Sequence, residues 1–400
     1  DHRDLHSFPT RRSSDLDRSD IPISSKINDL NIIVNENWGG YNSEQGRAIK
    51  ISGDYVFIAG FSSSFGNGMR DVCLIKWSLD GNLLWNKTFG GPYNDEGIDL
   101  WCNGSYVYVI GNYKDNVSAN STLLLLKWDV NGDLVWNRTW GHFGDWSFGD
   151  AIWCDEEYIY TLGKTRKSWS NNFNVVLIKW DNSGNELWNR TWGGNESDIG
   201  FSIWGNESGI YATGKTCSLG DINGDVFLTK WDFDGNEIWN RTKGWFHEDN
   251  GYSVWGSTSD LYTLGSYSKG GETDKNITKW DNDGNEIWTR SINVSSSVVW
   301  GNNSCFYVCA ANQIFSYDNN AKFLWNLELN QTFDIFGFYS DGNYLYLTGD
   351  CEINGGHDIF YIKAEIMPLI SLQSEPENNY ASDTLIGVFF IIITTIGIFI

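Results

Sequence analysis

Gly200-Phe-Ser-Ile-Trp204, Gly209-Ile-Tyr-Ala-Thr-Gly214, Asp225-Val-Phe-Leu-Thr-Lys-Trp231 and Gly235-Asn-Glu-Ile-Trp-Asn-Arg-Thr242 follow one another along the chain. The first is short and apolar. The others alternate and are rich in β-branched and aromatic residues, which is the strand period. Asp232-Phe-Asp-Gly235-Asn joins the last two and supplies a tight hairpin, because Gly takes positive φ and Asp or Asn closes the turn. Residues 200–242 therefore read as four antiparallel strands.

The unit recurs. Lys-Trp, a turn and a second Trp appear at Lys76-Trp77…Trp85, Lys127-Trp128…Trp136, Lys179-Trp180…Trp188, Lys230-Trp231…Trp239 and Lys279-Trp280…Trp288, at a spacing of about fifty residues. A sixth copy is degenerate, with Tyr317 and Trp325, and a seventh keeps Lys363 but has Ala364 in the Trp position. A single such sheet leaves both faces apolar, so the units must stack radially into a closed ring. That is a β-propeller, an all-β fold with seven blades of four antiparallel strands. The seventh unit has strands near 336–339, 344–349 and 358–365 and stops short of a fourth. Leu30-Asn-Ile-Ile-Val-Asn-Glu-Asn-Trp-Gly-Gly40 matches Gly184-Asn-Glu-Leu-Trp-Asn-Arg-Thr-Trp-Gly-Gly194 in register. It is an orphan fourth strand, predicted to pair beside 358–365 and to remove two exposed sheet edges.

These motifs resemble the SBBP-type β-propeller repeat. The resemblance rests on the Gly-Gly start at Gly193-Gly194, the Tyr211-Ala-Thr-Gly214-Lys-Thr strand and the Asp232-Phe-Asp-Gly235-Asn-Glu-Ile-Trp239 hairpin. It covers roughly residues 30–366 and implies the fold. It implies little about activity, since such repeats occur in exported proteins of mostly unassigned function.

The two ends are unlike the middle. His6 to Leu16 resembles a translated sequencing adapter, and residues 1–20 are set outside the fold. The natural N-terminus is expected to lie elsewhere. Residues 21–366 are assigned to the propeller and 367–383 to a polar linker. Residues 384–400, TLIGVFFIIITTIGIFI, carry no charge. As a helix they would extend about 25 Å, enough to enter a bilayer as a transmembrane anchor.

Composition sets limits. Aromatic residues make up 16% of the 400, including 22 Trp, which excludes a mostly disordered chain. A net charge of −23 opposes nucleic-acid binding. The 7 Cys contain no CxxC pair, which argues against a zinc module or disulfide scaffold. No Ser-His-Asp or Cys-His grouping recurs at a usable spacing, and no P-loop or dinucleotide fingerprint appears. His142, His247 and His357 fall in loops of different blades. Asp221-Ile-Asn223-Gly224-Asp225, with Asp232, partly imitates a calcium loop. Val226 stands where glycine is wanted, so a plain turn is expected. Quinone-dependent propeller enzymes carry a motif resembling Ala-x-Asp-x-x-Thr-Gly-x-x-x-Trp. Here the Thr is missing, and the spacing from Asp129 to Trp136 is one residue short. No catalytic residue, metal site or cofactor is assigned.

Two rings follow from the repeat. First strands end in Trp101, Trp153, Trp204, Trp255 and Trp300, with Lys50 and Tyr339 at equivalent positions. First strands line a propeller's axis, so these aromatics either stack on sugar rings or pack blade against blade. Packing is the preferred reading. The second ring is Lys76, Lys127, Lys179, Lys230, Lys279 and Lys363, broken by Ser316. Its expected partners are neighbouring carboxylates such as Asp129, Asp181, Asp232 and Asp281. Thirteen Asn-x-Ser/Thr sequons occur, four of them at one repeated position: Asn86, Asn137, Asn189 and Asn240. They are glycosylation candidates and suit an exported domain. The expected function is a membrane-anchored extracellular propeller that binds a surface protein or glycan without catalysis. The alternatives are a propeller enzyme, quinone-dependent or acting on polysaccharide, and a structural surface-layer component.

Overall fold

The computed structural model describes residues 31–366, apart from 115–119, 143, 245–247, 258, 270–271, 293–297, 302–304, 311, 330–332 and 354. The expected leader, linker and transmembrane helix lie outside these residues. No helix among the described residues is long and apolar enough to cross a membrane.

The strands form seven four-stranded antiparallel sheets. Blade 1 comprises β2 (Glu44–Ser52), β3 (Tyr55–Ser62), β4 (Asp71–Ser78) and β5 (Leu83–Phe89). Blade 2 comprises β6 (Glu96–Cys102), β7 (Tyr106–Tyr113), β8 (Thr122–Asp129) and β9 (Leu134–Trp140). Blade 3 comprises β10 (Trp146–Cys154), β11 (Tyr158–Arg166), β12 (Asn174–Asp181) and β13 (Glu186–Trp192). Blade 4 comprises β14 (Asp198–Asn206), β15 (Gly209–Thr216), β16 (Asp225–Trp231) and β17 (Glu237–Lys243). Blade 5 comprises β18 (Asn250–Gly256), β19 (Asp260–Lys269), β20 (Glu272–Asp281) and β21 (Glu286–Ile292). Blade 6, the degenerate copy, has the short strands β22 (Val298–Gly301), β23 (Cys305–Ala310), β24 (Gln313–Asp318) and β25 (Phe323–Glu328). Blade 7 is β26 (Phe333–Ser340), β27 (Tyr344–Ile353) and β28 (Gly356–Glu365), completed by β1 (Ile32–Trp38).

The seam is the predicted one. β1 runs antiparallel to β28, from Ile32 opposite Ala364 to Trp38 opposite Ile359. Val34 and Trp38 are buried there, in one cluster with Trp77, Ile359 and Tyr361. First strands of consecutive blades are neighbours all the way round, with β2 also beside β26, so the ring closes on an axis lined by first strands.

Burial follows the alternation. β16 is buried along its whole length, as a strand packed on both faces must be. Outer strands alternate; β17 exposes Glu237, Ile238 and Asn240 and half-buries Trp239, Arg241 and Lys243. Two glycines of the repeat have direct causes. Gly235 holds φ +80° in the hairpin. Gly214 faces β14 so closely that a Cβ would stand 1.9 Å from the Ile199 carbonyl oxygen.

Candidate functional site

The hairpins between third and fourth strands stand at one end of the axis, and the connections between second and third strands, long in blades 1 to 4, stand at the other. The hairpin end is a fastening device. Lys127 Nζ donates to the Asn182 carbonyl at 2.9 Å, and Trp136 Nε1 donates to the same oxygen at 3.3 Å. Asn182 lies in the hairpin of the next blade. Arg138 reaches two further carbonyls of that hairpin, Gly184 and Ser183. Lys179, Trp188 and Arg190 treat Phe233, Gly235 and Asp234 in the same way. Lys76 reaches the Val130 carbonyl, and Lys363 of blade 7 reaches the Leu79 carbonyl in the hairpin of blade 1. Each of these lysines also lies over a tyrosine ring of its own blade, Lys127 at 3.9 Å from Tyr106.

The expected pairing of the lysine ring with carboxylates is therefore corrected. Lys76, Lys127, Lys179, Lys230 and Lys363 donate to carbonyls, and only Lys279 forms an ion pair, with Asp260 at 3.1 Å. The hairpin aspartates are occupied in their own turns. Asp181 Oδ1 accepts from the Ser183 and Asn185 amides, and these bonds, the Asn185 backbone amide first, hold its carboxyl below the ordinary range.

The axial aromatics stand at the same end. Trp101, Trp153, Trp204, Trp300 and Tyr339 are half-buried and Trp255 is buried. Each packs on its own second strand or on the next blade: Trp204 on Tyr211 at 5.7 Å, Trp101 on Trp153 at 6.4 Å, and Trp300 on Tyr339 at 5.6 Å. Lys50 covers Trp101 at 5.5 Å. Gly205, Gly256 and Gly301 leave room for the preceding blade's Trp; a Cβ on Gly301 would meet Trp255 Nε1 at 2.0 Å. These contacts are those of blade-to-blade packing.

The loop end holds a cleft of about 750 Å³ that sequence reasoning missed. Its walls are the end of β9 and the loop after it (Trp140, His142), the end of β11 and the loop after it (Arg166, Lys167, Trp169) and the face of β13 (Glu186, Asn189, Thr191). Asn195, from the connection to blade 4, also lines it. Trp169 is 84% exposed, an unusual position for so large an apolar group. Arg166 lies between the Trp146 and Phe173 rings, 5.1 and 5.0 Å from their centroids, and donates to the Ser170 carbonyl. Its Nε is buried without a partner. Lys167 pairs with Asp145 at 2.8 Å, which draws the Asp145 carboxyl below its ordinary range.

The remaining sequence candidates are dispersed. Asn86, Asn137, Asn189 and Asn240 are exposed on outer strands, and Asn189 and Asn240 donate to Glu186 and Glu237. His142 lies at the cleft. His357 is in blade 7, with Nδ1 2.8 Å from Asp350 Oδ2, while Asp350 Oδ1 accepts from Gln45 of blade 1. His247 lies outside the described residues. Asp221 and Asp232 sit at opposite ends of β16, and Asp221 closes a turn with Gly224 and Asn223. The cysteines are all free thiols.

No family model matches the chain, and no curated protein is similar to it. Solved structures are similar. A catalytically inactive virginiamycin B lyase from Staphylococcus aureus with quinupristin gives a TM-score of 0.53 at 11% identity, covering 84% of this chain and 99% of that one. The Pan2 WD40 domain of Neurospora crassa gives 0.52 at 9%, covering 81% and 90%. The Cps50 (Swd1) β-propeller domain of Myceliophteria thermophila gives 0.51 at 10%, covering 83% and 99%. The likeness is one of fold. One architecture serves unrelated tasks in these proteins, so function here must be argued from the site.

Proposed function

We propose that this propeller, kin to SBBP-type repeats, is a non-catalytic binding module, and that the cleft of blade 3 takes an extended carbohydrate. The observation that carries the reading is Trp169, an exposed indole at the rim of a concave site with Arg166, Glu186, Asn189 and Asn195 around it. Sugars offer an apolar face to such a ring and hydroxyls to such polar groups. The apolar 384–400 segment supports a membrane anchor, and the exposed sequon asparagines support a propeller outside the cell. A glycan attached at Asn189 or Asn195 would fill the cleft, so the ligand is expected to meet these two positions bare.

The test is a glycan array followed by calorimetry on the full chain in detergent, made in a host without N-glycosylation. Binding to one carbohydrate class should weaken at least about tenfold in Trp169→Ala, the loss of roughly 1.4 kcal/mol. The exposed position keeps the melting temperature unchanged. Absence of binding to any glycan, or binding indifferent to Trp169→Ala, refutes the reading.

A further inference from the structure

Arg166, the last residue of β11, stands in the cleft wall with most of its donors unspent. Its Nη1 gives one hydrogen bond, to the Ser170 carbonyl at 2.8 Å. Nη2 makes none among the described residues, and no carboxylate of theirs pairs with the group. Other arginines are placed differently. Arg138, Arg190 and Arg241 each set their Nε, Nη1 and Nη2 on carbonyls. Arg47 and Arg70 share the Glu96 carboxylate. Arg290 also makes no hydrogen bond among the described residues, but it is exposed on the outer strand of blade 5.

Arg166 instead lies half-buried between the ring of Trp146, its register partner on β10, and the ring of Phe173. Such faces attract a cation and displace the water that would screen it. They also fix the guanidinium before a ligand arrives, so little ordering entropy is lost on contact. The planar group matches a carboxylate with two parallel bonds. Nε is buried, so the fork on offer is Nη1 and Nη2.

The cleft also inverts the charge balance of the chain. The molecule has 51 Asp and Glu against 28 Lys and Arg, whereas the cleft wall has Arg166 and Lys167 against Glu186 alone. Lys167 is paired with Asp145. Glu186 accepts from Asn189, and Glu196 nearby accepts from Asn172. Glu186 opens β13, and Arg166 stands level with its other end, because Thr165 faces Asn174 and the next residue, Val175, faces Trp192. From Glu186 to Trp192 the strand runs about 20 Å. The uncompensated charge of the cleft is therefore the Arg166 guanidinium, in the same wall as the exposed Trp169 ring.

We propose that the carbohydrate of this cleft is acidic, a uronic-acid chain with one carboxylate held by the Arg166 fork. The inference rests on the carbohydrate reading of the cleft and adds the class of sugar. A neutral chain would leave the guanidinium with hydroxyls alone, whereas a carboxylate completes it with charge-assisted bonds in a site where two rings exclude water.

Calorimetry on the full chain in detergent, made without N-glycosylation, tests this. Tetrasaccharides of galacturonate, mannuronate and hyaluronan are compared with their methyl esters, with a sulfated galactan tetrasaccharide and with cellotetraose. At least one uronate should bind at least about tenfold more tightly than its own ester, as a hydrogen bond to a charged group implies. Arg166→Gln should erase that ratio by weakening the acid alone. Arg166→Lys, which keeps the charge and loses the fork, should reduce the ratio without erasing it, and Trp169→Ala should weaken acid and ester alike. Acids and esters that bind equally to the wild type overturn the inference. So does a ratio untouched by both Arg166 variants, or a sulfated chain that binds more tightly than every uronate. Binding of neutral chains that depends on Trp169 and not on Arg166 overturns it while the carbohydrate reading stands; binding of no glycan overturns both.

Discussion

Replacing Trp38 by alanine tests the seam most directly. Trp38 is 8% exposed, packs on Phe65 with centroids 5.0 Å apart, and lies opposite Ile359 across the β1–β28 ladder. Its counterpart inside a covalently continuous blade is Trp192, which is 7% exposed, packs on Phe227 at 4.5 Å and lies opposite Val175. Removing a buried Trp side chain costs about 3–5 kcal/mol. Both substitutions delete the same atoms at the end of a fourth strand, but the facing ring is the exposed Phe65 for Trp38 and the fully buried Phe227 for Trp192. The expected result is therefore a loss of about 3–5 kcal/mol for each, with Trp38→Ala toward the lower end, against a total stability on the order of 5–15 kcal/mol. Urea unfolding followed by far-ultraviolet circular dichroism reads both, without relying on the fluorescence of the ring that was removed. A loss below about 1 kcal/mol for Trp38→Ala beside the full loss for Trp192→Ala would mean that the ring stands without its N-terminal strand. The closure argument would then fail.

Two further outcomes follow from local geometry. Ala321 holds φ +57° in the blade 6 hairpin, where Gly81, Gly132, Gly184, Gly235 and Gly284 serve blades 1 to 5. Ala321→Gly should stabilise the protein by about 1 kcal/mol, read as a higher urea midpoint; an unchanged or lower midpoint refutes the strain. Burial pushes the Cys73 and Cys309 thiols far above the thiol range, and Cys102 and Cys351 up to about 11. These four should resist alkylation at pH 8 in the native state and react after unfolding, as counted by mass spectrometry; rapid native labelling would show that the blades open locally.

Strand positions and the seam were legible because both rest on local pattern. Alternation placed β14 to β17, the Asp-x-x-Gly turn fixed their register, and the match of 30–40 to 184–194 exposed the orphan strand. The lysine ring was visible, but its partners were not. A carbonyl leaves no mark on a sequence, whereas a nearby aspartate does, and charge arithmetic favoured the wrong acceptor. The cleft was invisible for another reason: the β11–β12 loop that carries Trp169 belongs to blade 3 alone, and repeat analysis discards what does not recur.

Because blade 7 is built from both ends of the propeller, its first contribution is made long before its last. β1 emerges from the ribosome while its companion is still some 320 residues from being translated. At ordinary elongation rates that wait is roughly 15–65 s. Throughout it, a strand that ends in a tryptophan meant for burial has no sheet to join, and the six finished blades present an open flank. Whatever shields nascent chains in this cell must serve that interval, and a stalled ribosome would release a nearly complete disc whose two free edges fit other copies of itself as well as they fit each other.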